Sequence, residues 1–290
     1  MFGQAERAGH RQGPAVQLRC AGRVLQLDHP VVMGVLNVTP DSFSDGGQYA
    51  DADAALAHAE RMAAEGAAII DIGGESTRPG AATVDSEEEL RRVLPLVERV
   101  AARLSVLVSV DTSNPELMRR AGAAGAHLVN DVRALRSPGA IEAVAAGSLG
   151  VCLMHMRGEP ATMQLDPHYD DVVEEVKLFL AERARLCTDA GIARERLCVD
   201  PGFGFGKRLA HNLQLLRDLA QFEPLGLPLA VGLSRKSMIA ALGGQAEARL
   251  AGSLALATIA VLHGARIVRA HDVAATVDAV RIAGAVRQRS

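Results

Sequence analysis

Eight times along this chain a short apolar run stops on a polar or charged residue and gives way to a helical stretch. The runs are 31–37 (VVMGVLN), 67–74 (AAIIDIGG), 106–112 (VLVSVDT), 126–132 (AHLVNDV), 149–155 (LGVCLMH), 196–200 (RLCVD), 228–234 (PLAVGLS) and 265–271 (ARIVRAH). A strand with one wet face alternates apolar and polar residues. One covered on both faces reads as continuous Val, Ile and Leu, which marks a parallel sheet. Strand and helix alternating eight times predict an α/β fold, a closed (β/α)8 or TIM barrel. The chain has 290 residues where such barrels usually need about 250, so a single barrel domain over 16–290 uses it up. Active sites in this architecture sit at the carboxyl ends of the strands, so the residues that close each run are the ones to read.

Composition removes several classes. The net charge is −3 and no dense Lys/Arg run occurs, so nucleic acid is not an expected partner. The four cysteines, Cys20, Cys152, Cys187 and Cys198, show neither pairing nor zinc spacing, which suits a reducing, cytoplasmic setting. Residues 1–15 contain no apolar core of a signal peptide or membrane anchor and are expected to form a disordered tail. Residues 16–27 (VQLRCAGRVLQL) read as a hairpin turning near Ala21-Gly22, placed to plug the barrel bottom. The segment 248–263 (ARLAGSLALATIAVLH) is apolar nearly all round. An outer-ring helix keeps one wet side, so a homodimer packed through this helix is expected.

The strand ends carry the chemistry. They supply Asn37, Asp71, Asp111, Asn130 with Asp131, His155, Asp200, then Lys236 in GLSRKS, and Arg269, His271 and Asp272. The loops after the first two runs, VTPDSFSDGGQYAD and IGGESTRPGAATVD, are rich in glycine and carry Phe43, Thr77, Arg78 and Pro79. Each of these has a dull explanation when taken singly. An Asp after a strand often caps the next helix, which would cover Asp272 and Asp131. A lone His such as His155 is more often a satisfied core residue than a catalyst, and Arg235-Lys236 has the look of a solvated surface.

Their distribution around the rim is less easily dismissed. In a barrel, strand order follows sequence order, so Asp71, Asp111, Asn130 and Asp200 fall on one arc, and Lys236, Arg269, His271 and Arg78 on the other. Carboxylates about 7 Å apart repel by about 2 kcal/mol per pair at an effective dielectric near 20, a cost that scattered capping residues have no reason to bear. The acidic arc suits a ligand rich in N–H donors or one that develops positive charge; the basic arc suits a phosphate. GFGFGK (202–207) is neither a dinucleotide fingerprint nor a Walker A loop, because its spacing is wrong for both. Its glycines are expected to permit close backbone approach. No Cys/His cluster fits a transition metal, whereas Asn37 beside a diphosphate would suit Mg2+.

Eight segments, one at each strand end, resemble the signature segments of the dihydropteroate synthase family. They are GVLNVTPDSFSDGG (34–47), DIGGESTRPGA (71–81), SVDTSNPE (109–116), VNDVRAL (129–135), LMHMRGEPATMQ (153–164), DPGFGFGK (200–207), GLSRKSMI (232–239) and VRAHDV (268–273). The resemblance spans roughly 16–290 and is of the monofunctional bacterial type. It implies a transferase of folate biosynthesis, a sulfonamide target. Such an enzyme condenses 7,8-dihydropterin-6-ylmethyl diphosphate with p-aminobenzoate, with Mg2+ at Asn37.

By this resemblance the pterin rests on Asp111, Asn130, Met154, Asp200, Phe205, Gly232 and Lys236. The diphosphate lies on Asn37, Thr77, Arg78, Arg269 and His271, and p-aminobenzoate on Phe43, Pro79, Phe205, Ser234 and Lys236. Asp111, Asp200, Lys236, Arg269 and His271 would be catalytic, through a dissociative route with a pterin cation. Asp71 is placed near the second loop and the diphosphate. The loops 38–50 and 75–87 are expected to order only when both substrates bind. Two rivals are a catalytically silent pterin-binding paralogue and a methyltetrahydrofolate-dependent corrinoid methyltransferase. Intact Arg78, Asp111, Arg269 and His271 speak against the first, and the STRPG loop with the Arg-x-His pair against the second.

Overall fold

A computed structural model of the chain describes residues 16–38, 47–75, 84–160, 162–243 and 249–287. The eight apolar runs all form strands: β3 (Val31–Asn37), β4 (Ile69–Gly73), β5 (Leu107–Asp111), β6 (Leu128–Asp131), β7 (Gly150–Met154), β8 (Leu197–Asp200), β9 (Ala230–Gly232) and β10 (Ile267–Ala270). They pair in parallel as one eight-stranded sheet, in the order β8-β7-β6-β5-β4-β3-β10-β9. A parallel bridge between Val199 and Leu229, with the Val199 amide donating to the Pro228 carbonyl at 3.0 Å, joins the two edges and closes the barrel.

Between the strands lie the helices α1 (Gly47–Ala64), α2 (Ser86–Arg103), α3 (Pro115–Ala123), α4 (Ala140–Ala145), α5 (Val172–Asp189), α6 (Leu209–Arg217), α7 (Ser237–Ala241), α8 (Arg249–Leu262) and α9 (Val273–Arg287). Several begin where a short polar side chain replaces the missing intrahelical acceptor: Asp85 accepts from Glu87 N–H, Asn114 from Glu116 N–H and Asp171 from Val173 N–H. The residues between the inward ones on each strand (Ile70 and Ile72, Val108 and Val110, Val129, Val151, Val199, Val231, Val268) belong to the larger core shared with the helices.

The inward residues sort by height. At the bottom each strand contributes one apolar side chain: Met33, Ile69, Leu107, Leu128, Cys152, Cys198, Ala230 and Ile267. Beneath them the antiparallel hairpin of β1 (Gln17–Cys20) and β2 (Arg23–Gln26) adds Leu18, Cys20 and Leu27, all fully buried. Positive φ at Ala21 (47°) and Gly22 (81°) gives the two-residue hairpin turn the right twist. The turn is tied to the barrel by Ala21 N–H on the Ser148 carbonyl (2.9 Å), and Arg266 reaches the Leu27 carbonyl (3.1 Å). The plug expected from the sequence is therefore present. Two residues further up each strand the inward positions become Val35, Asp71, Ser109, Asn130, Met154, Asp200, Gly232 and Arg269, and here the barrel turns polar. No helix among the described residues is long and apolar enough to cross a membrane.

Candidate active site

A cavity of about 590 Å3 opens at the carboxyl end of the barrel. Its lining brings together Asn37, Asp111, Asn130, Met154, Asp200, Phe205, Gly232, Ser234, Lys236, Arg269 and His271, residues that the sequence scatters over more than two hundred positions. Phe43, Thr77, Arg78 and Pro79, the 1–15 tail and most of the two glycine-rich loops lie outside the described residues.

The deep part of the cavity is a charge network. Arg269 is 24% exposed; its Nε donates to Asp71 Oδ2 at 2.6 Å and its Nη2 to Asp111 Oδ2 at 2.7 Å. Asn130 Nδ2 donates to the same Asp71 oxygen at 3.0 Å. This corrects two expectations. Acid and base do not keep to separate arcs: the barrel is narrow enough for the Arg269 side chain on β10 to span it and pair with β4 and β5. Nor does Asp71, expected beside the diphosphate, reach the cavity: β4 continues two residues beyond it to Gly73, and Asp71 is fully buried, where it anchors Arg269 and Asn130.

Burial decides the titration of these groups. It raises the Asp111 carboxyl above the ordinary carboxylate range, with Arg269 pulling the other way. Burial likewise pushes Asp200 up to about 6, opposed by the Gly202 N–H (2.7 Å to Oδ1) and by Lys236, Lys207 and Arg269. It lowers Lys236 to about 8, against the attraction of Asp200. The Lys236 ammonium stands 4.2 Å over the Phe205 ring, a cation–π contact that fixes both groups. One wall is apolar and soft: Val132, Met154, Met163 and Phe205 line it, with Met156 packed into the same cluster, a surface suited to the face of a flat ring.

The lip is built by two short loops that clasp each other. Ser234 Oγ lies 3.0 Å from His271 Nδ1 and accepts from His271 N–H at 3.2 Å. Between Ser234 and Lys236, Arg235 adopts φ +59°, a left-handed conformation unusual for a side chain of this size. Its guanidinium grips Asp272 in two bonds of 3.1 and 2.6 Å. Asp272 therefore uses its side chain to hold the Ser234–Lys236 turn, and Arg235 is more than a solvated neighbour of Lys236. Asp131 accepts from Ser113 and from the amides of Arg133 and Leu135, the local role expected of it. His155 is a core residue: it turns away from the cavity, 4.9 Å edge-on to Phe179 of α5.

Glu75, Met163, Gln164 and Arg249 also line the cavity. Sequence reading missed them because they come from loops or from the start of α8, away from the strand ends. Asn37 offers an amide oxygen at the mouth, and no group of three or more His, Cys, Asp or Glu among the described residues could cage an ion. Such a donor set suits a hard cation that takes most of its oxygens from substrate and water, and does not suit a tightly held transition metal.

A closed parallel barrel with a polar upper lumen, a soft aromatic wall and a cationic lip defines a barrel enzyme for a flat, donor-rich and anionic ligand. Residues 33–271 match the model of the family described as pterin binding enzyme. The chain is 56% identical over 269 residues to dihydropteroate synthase of Escherichia coli K12, covering 92% of this chain and 95% of that one. It superposes on Xanthomonas albilineans dihydropteroate synthase with 4-aminobenzoic acid at a TM-score of 0.89, with 54% identity over 95% of this chain and 100% of that one. For the same organism's enzyme in complex with 7,8-dihydropteroate, the TM-score is 0.85, with 52% identity over 94% and 100%. The chain belongs to the dihydropteroate synthase family.

Proposed function

We propose that this site joins 7,8-dihydropterin-6-ylmethyl diphosphate to p-aminobenzoate, giving 7,8-dihydropteroate and diphosphate. The observation that carries this reading is one cavity that gathers the acceptors Asp111, Asn130 and Asp200, the cation and hydroxyl groups Arg269, His271 and Ser234, and Phe205 with Lys236 over its ring. The pterin's N–H groups match the acceptors, and Lys236 donates to its ring carbonyl. Arg269, already braced by two carboxylates, still has N–H groups in its five-donor fork to hold the departing phosphate oxygens.

The C–O bond at the pterin methylene breaks, and its electron pair leaves on diphosphate toward Arg269 and His271. The cation left behind is delocalised into the ring, where the fixed anions Asp111 and Asp200 stabilise it. Groups of this kind contribute about 3–4 kcal/mol each. The neutral aryl amine then forms the C–N bond and releases a proton. Being neutral, the amine needs no deprotonation before it attacks, which favours the dissociative order, and its proton leaves to the departing diphosphate or to solvent. Mg2+ would be held by Asn37 and the substrate's own oxygens, and when bound would supply charge neutralisation on the diphosphate.

Two further expectations belong to this reading. A homodimer through α8 is supported by Leu250, Ile259 and Leu262, exposed on that helix, and by Ile282 and Val286, exposed on α9 packed beside it. A reducing, cytoplasmic setting is supported by four free, buried cysteines. The test is diphosphate release on mixing the protein with both substrates, with and without Mg2+. Release that requires the pterin, the aryl amine and Mg2+ is expected, with inhibition by a sulfonamide. Pterin binding without release would overturn the reading in favour of a silent pterin-binding protein.

A further inference from the structure

The glycine loop after β8 ends on a lysine for which the chemistry above has no use. Lys207 is 3% exposed. Its Nζ donates to the carbonyls of Gly202 (2.9 Å) and Phe205 (3.1 Å) and lies 2.9 Å from His155 Nδ1. Burial drives the Lys207 pKa well below the ordinary lysine value, with Asp200 pulling the other way. What favours the charged form is the ring of acceptors: the three N–H groups of an ammonium meet the two carbonyls and His155 Nδ1, with the His155 carbonyl at 3.5 Å as a fourth contact, provided that His155 is neutral with its proton on Nε2. Burial, reinforced by Lys207, lowers the His155 pKa to about 2, so the ring is neutral.

The loop that Lys207 gathers is pinned at nearly every backbone group. Gly202 N–H binds Asp200, Gly204 N–H binds Asn212 Oδ1 at 2.8 Å, the Gly204 carbonyl accepts from Gln164, and the Gly206 carbonyl accepts from Tyr169 at 2.9 Å. Gly202 and Gly206, at φ +69° and +63°, press against the chain leaving β7. A Cβ on them would meet the carbonyl oxygens of His155 and Arg157 at 1.9 and 2.3 Å. The close approach expected of these glycines is therefore made to the protein's own backbone. A packed apolar side chain would fill the Lys207 site without the cost of burying a charge. A staple alone does not call for an ammonium.

We propose that Lys207 is a positioning residue of the reaction: its buried ammonium ties the Gly202–Gly206 loop to His155, and so fixes the Phe205 ring beneath Lys236 and keeps the Asp200 anion charged below the pterin. This rests on the reading given above. The groups facing Asp200 are the Gly202 amide, Lys236, Lys207 and Arg269, and those facing Lys207 are Asp200, Lys236, Arg157 and His155. Removing the Lys207 charge therefore removes one of three cations that hold Asp200 ionised, which moves its titration upward from about 6.

The experiment compares wild type, Lys207→Met and Lys207→Arg. Lys207→Met should raise KM for p-aminobenzoate about tenfold or more, the worth of hydrogen bonds to a charged group. It should also move the acid limb of kcat/KM for the pterin substrate up by about half a pH unit or more. Lys207→Arg, which keeps the charge, should restore the acid limb better than it restores KM. A Lys207→Met protein that melts earlier, but has KM within about twofold of wild type and an unmoved acid limb, would reduce Lys207 to a folding staple and overturn the proposal.

Should Lys207→Met not fold, His155→Gln breaks the node while leaving the charge. A raised KM with an unmoved acid limb is then expected, and an unchanged KM overturns the positioning role. Should the wild type release no diphosphate, the reading of the reaction fails by itself. The pH dependence of dihydropterin diphosphate binding, followed by fluorescence, still tests Lys207: an acid limb unmoved by Lys207→Met overturns it, and so does an acid limb that His155→Gln, which keeps the charge, moves by about half a pH unit or more.

Discussion

The floor and the mouth of this barrel are made by the same eight strands, two residues apart. On β5 the inward positions read Leu107, Ser109, Asp111; on β6 Leu128, Asn130; on β8 Cys198, Asp200; on β10 Ile267, Arg269. The lower residue of each strand packs with the hairpin and the upper one faces ligand. Pleating puts every second residue on the same face, so one step of that period separates the part of the lumen that holds the barrel together from the part that does chemistry. The floor gains from burial, whereas the mouth holds carboxylates in a desolvated space where each is costly to ionise.

If this division is real, a mouth substitution should separate activity from stability most sharply. Asp111→Asn keeps the shape and is expected to lower kcat by about 10²–10³, while pterin affinity falls much less. Equal losses in both, measured by turnover and by equilibrium binding, would remove the electrostatic role. The mirror experiment is Leu128→Ala in the floor, expected to cost about 2–5 kcal/mol of stability in denaturant unfolding, with KM for both substrates within about twofold. A large change in KM would mean that the two layers are coupled.

The pH profile sharpens the contrast, because only the mouth titrates near neutrality. Asp111 and Asp200 must be ionised and Lys236 protonated. kcat/KM should therefore fall on the acid side as the two carboxylates, both raised by burial and Asp200 to about 6, take up protons, and on the basic side as pH rises through about 8. A profile flat between pH 5 and 9 would exclude both assignments. A smaller effect is expected at the lip. Arg235→Gly keeps the left-handed backbone without strain but loses the Asp272 pair, so a several-fold rise in KM for p-aminobenzoate would show that the pair does the work. Arg235 and Asp272 are partly exposed, and such a pair contributes only about 0.2–1 kcal/mol to stability. Last, Cys20, Cys152 and Cys198 should be inert to a thiol reagent until the protein unfolds, since all three are buried and burial pushes the Cys20 thiol up to about 12.

Much of this was legible in the residues. The eight runs announced the strands, the hairpin sequence announced the plug, and the polar residues closing the runs named Asn37, Asp111, Asn130, Asp200, Arg269 and His271 of the lining. What escaped was depth and direction. Asp71 and Asp111 look equivalent as the Asp in a strand exit, yet β4 runs on past the one and β5 stops at the other. His155 follows Met154 directly, so it faces the helices when Met154 faces the lumen. Arg269 has the reach to cross the barrel, which no strand pattern records. Arg235 carries a positive φ without being glycine, and only its grip on Asp272 makes that visible.

The hairpin has one more consequence. With Leu18, Cys20 and Leu27 corking the base, the lumen is a well rather than a tunnel, and all traffic shares one opening. On the proposed chemistry the compound that sits deepest must arrive first, and the one that sits above it then bars its retreat. A p-aminobenzoate mimic arriving early would find its floor missing. On that chemistry a dozen residues at the far end of the molecule, remote from the substrates, constrain the order of loading and unloading.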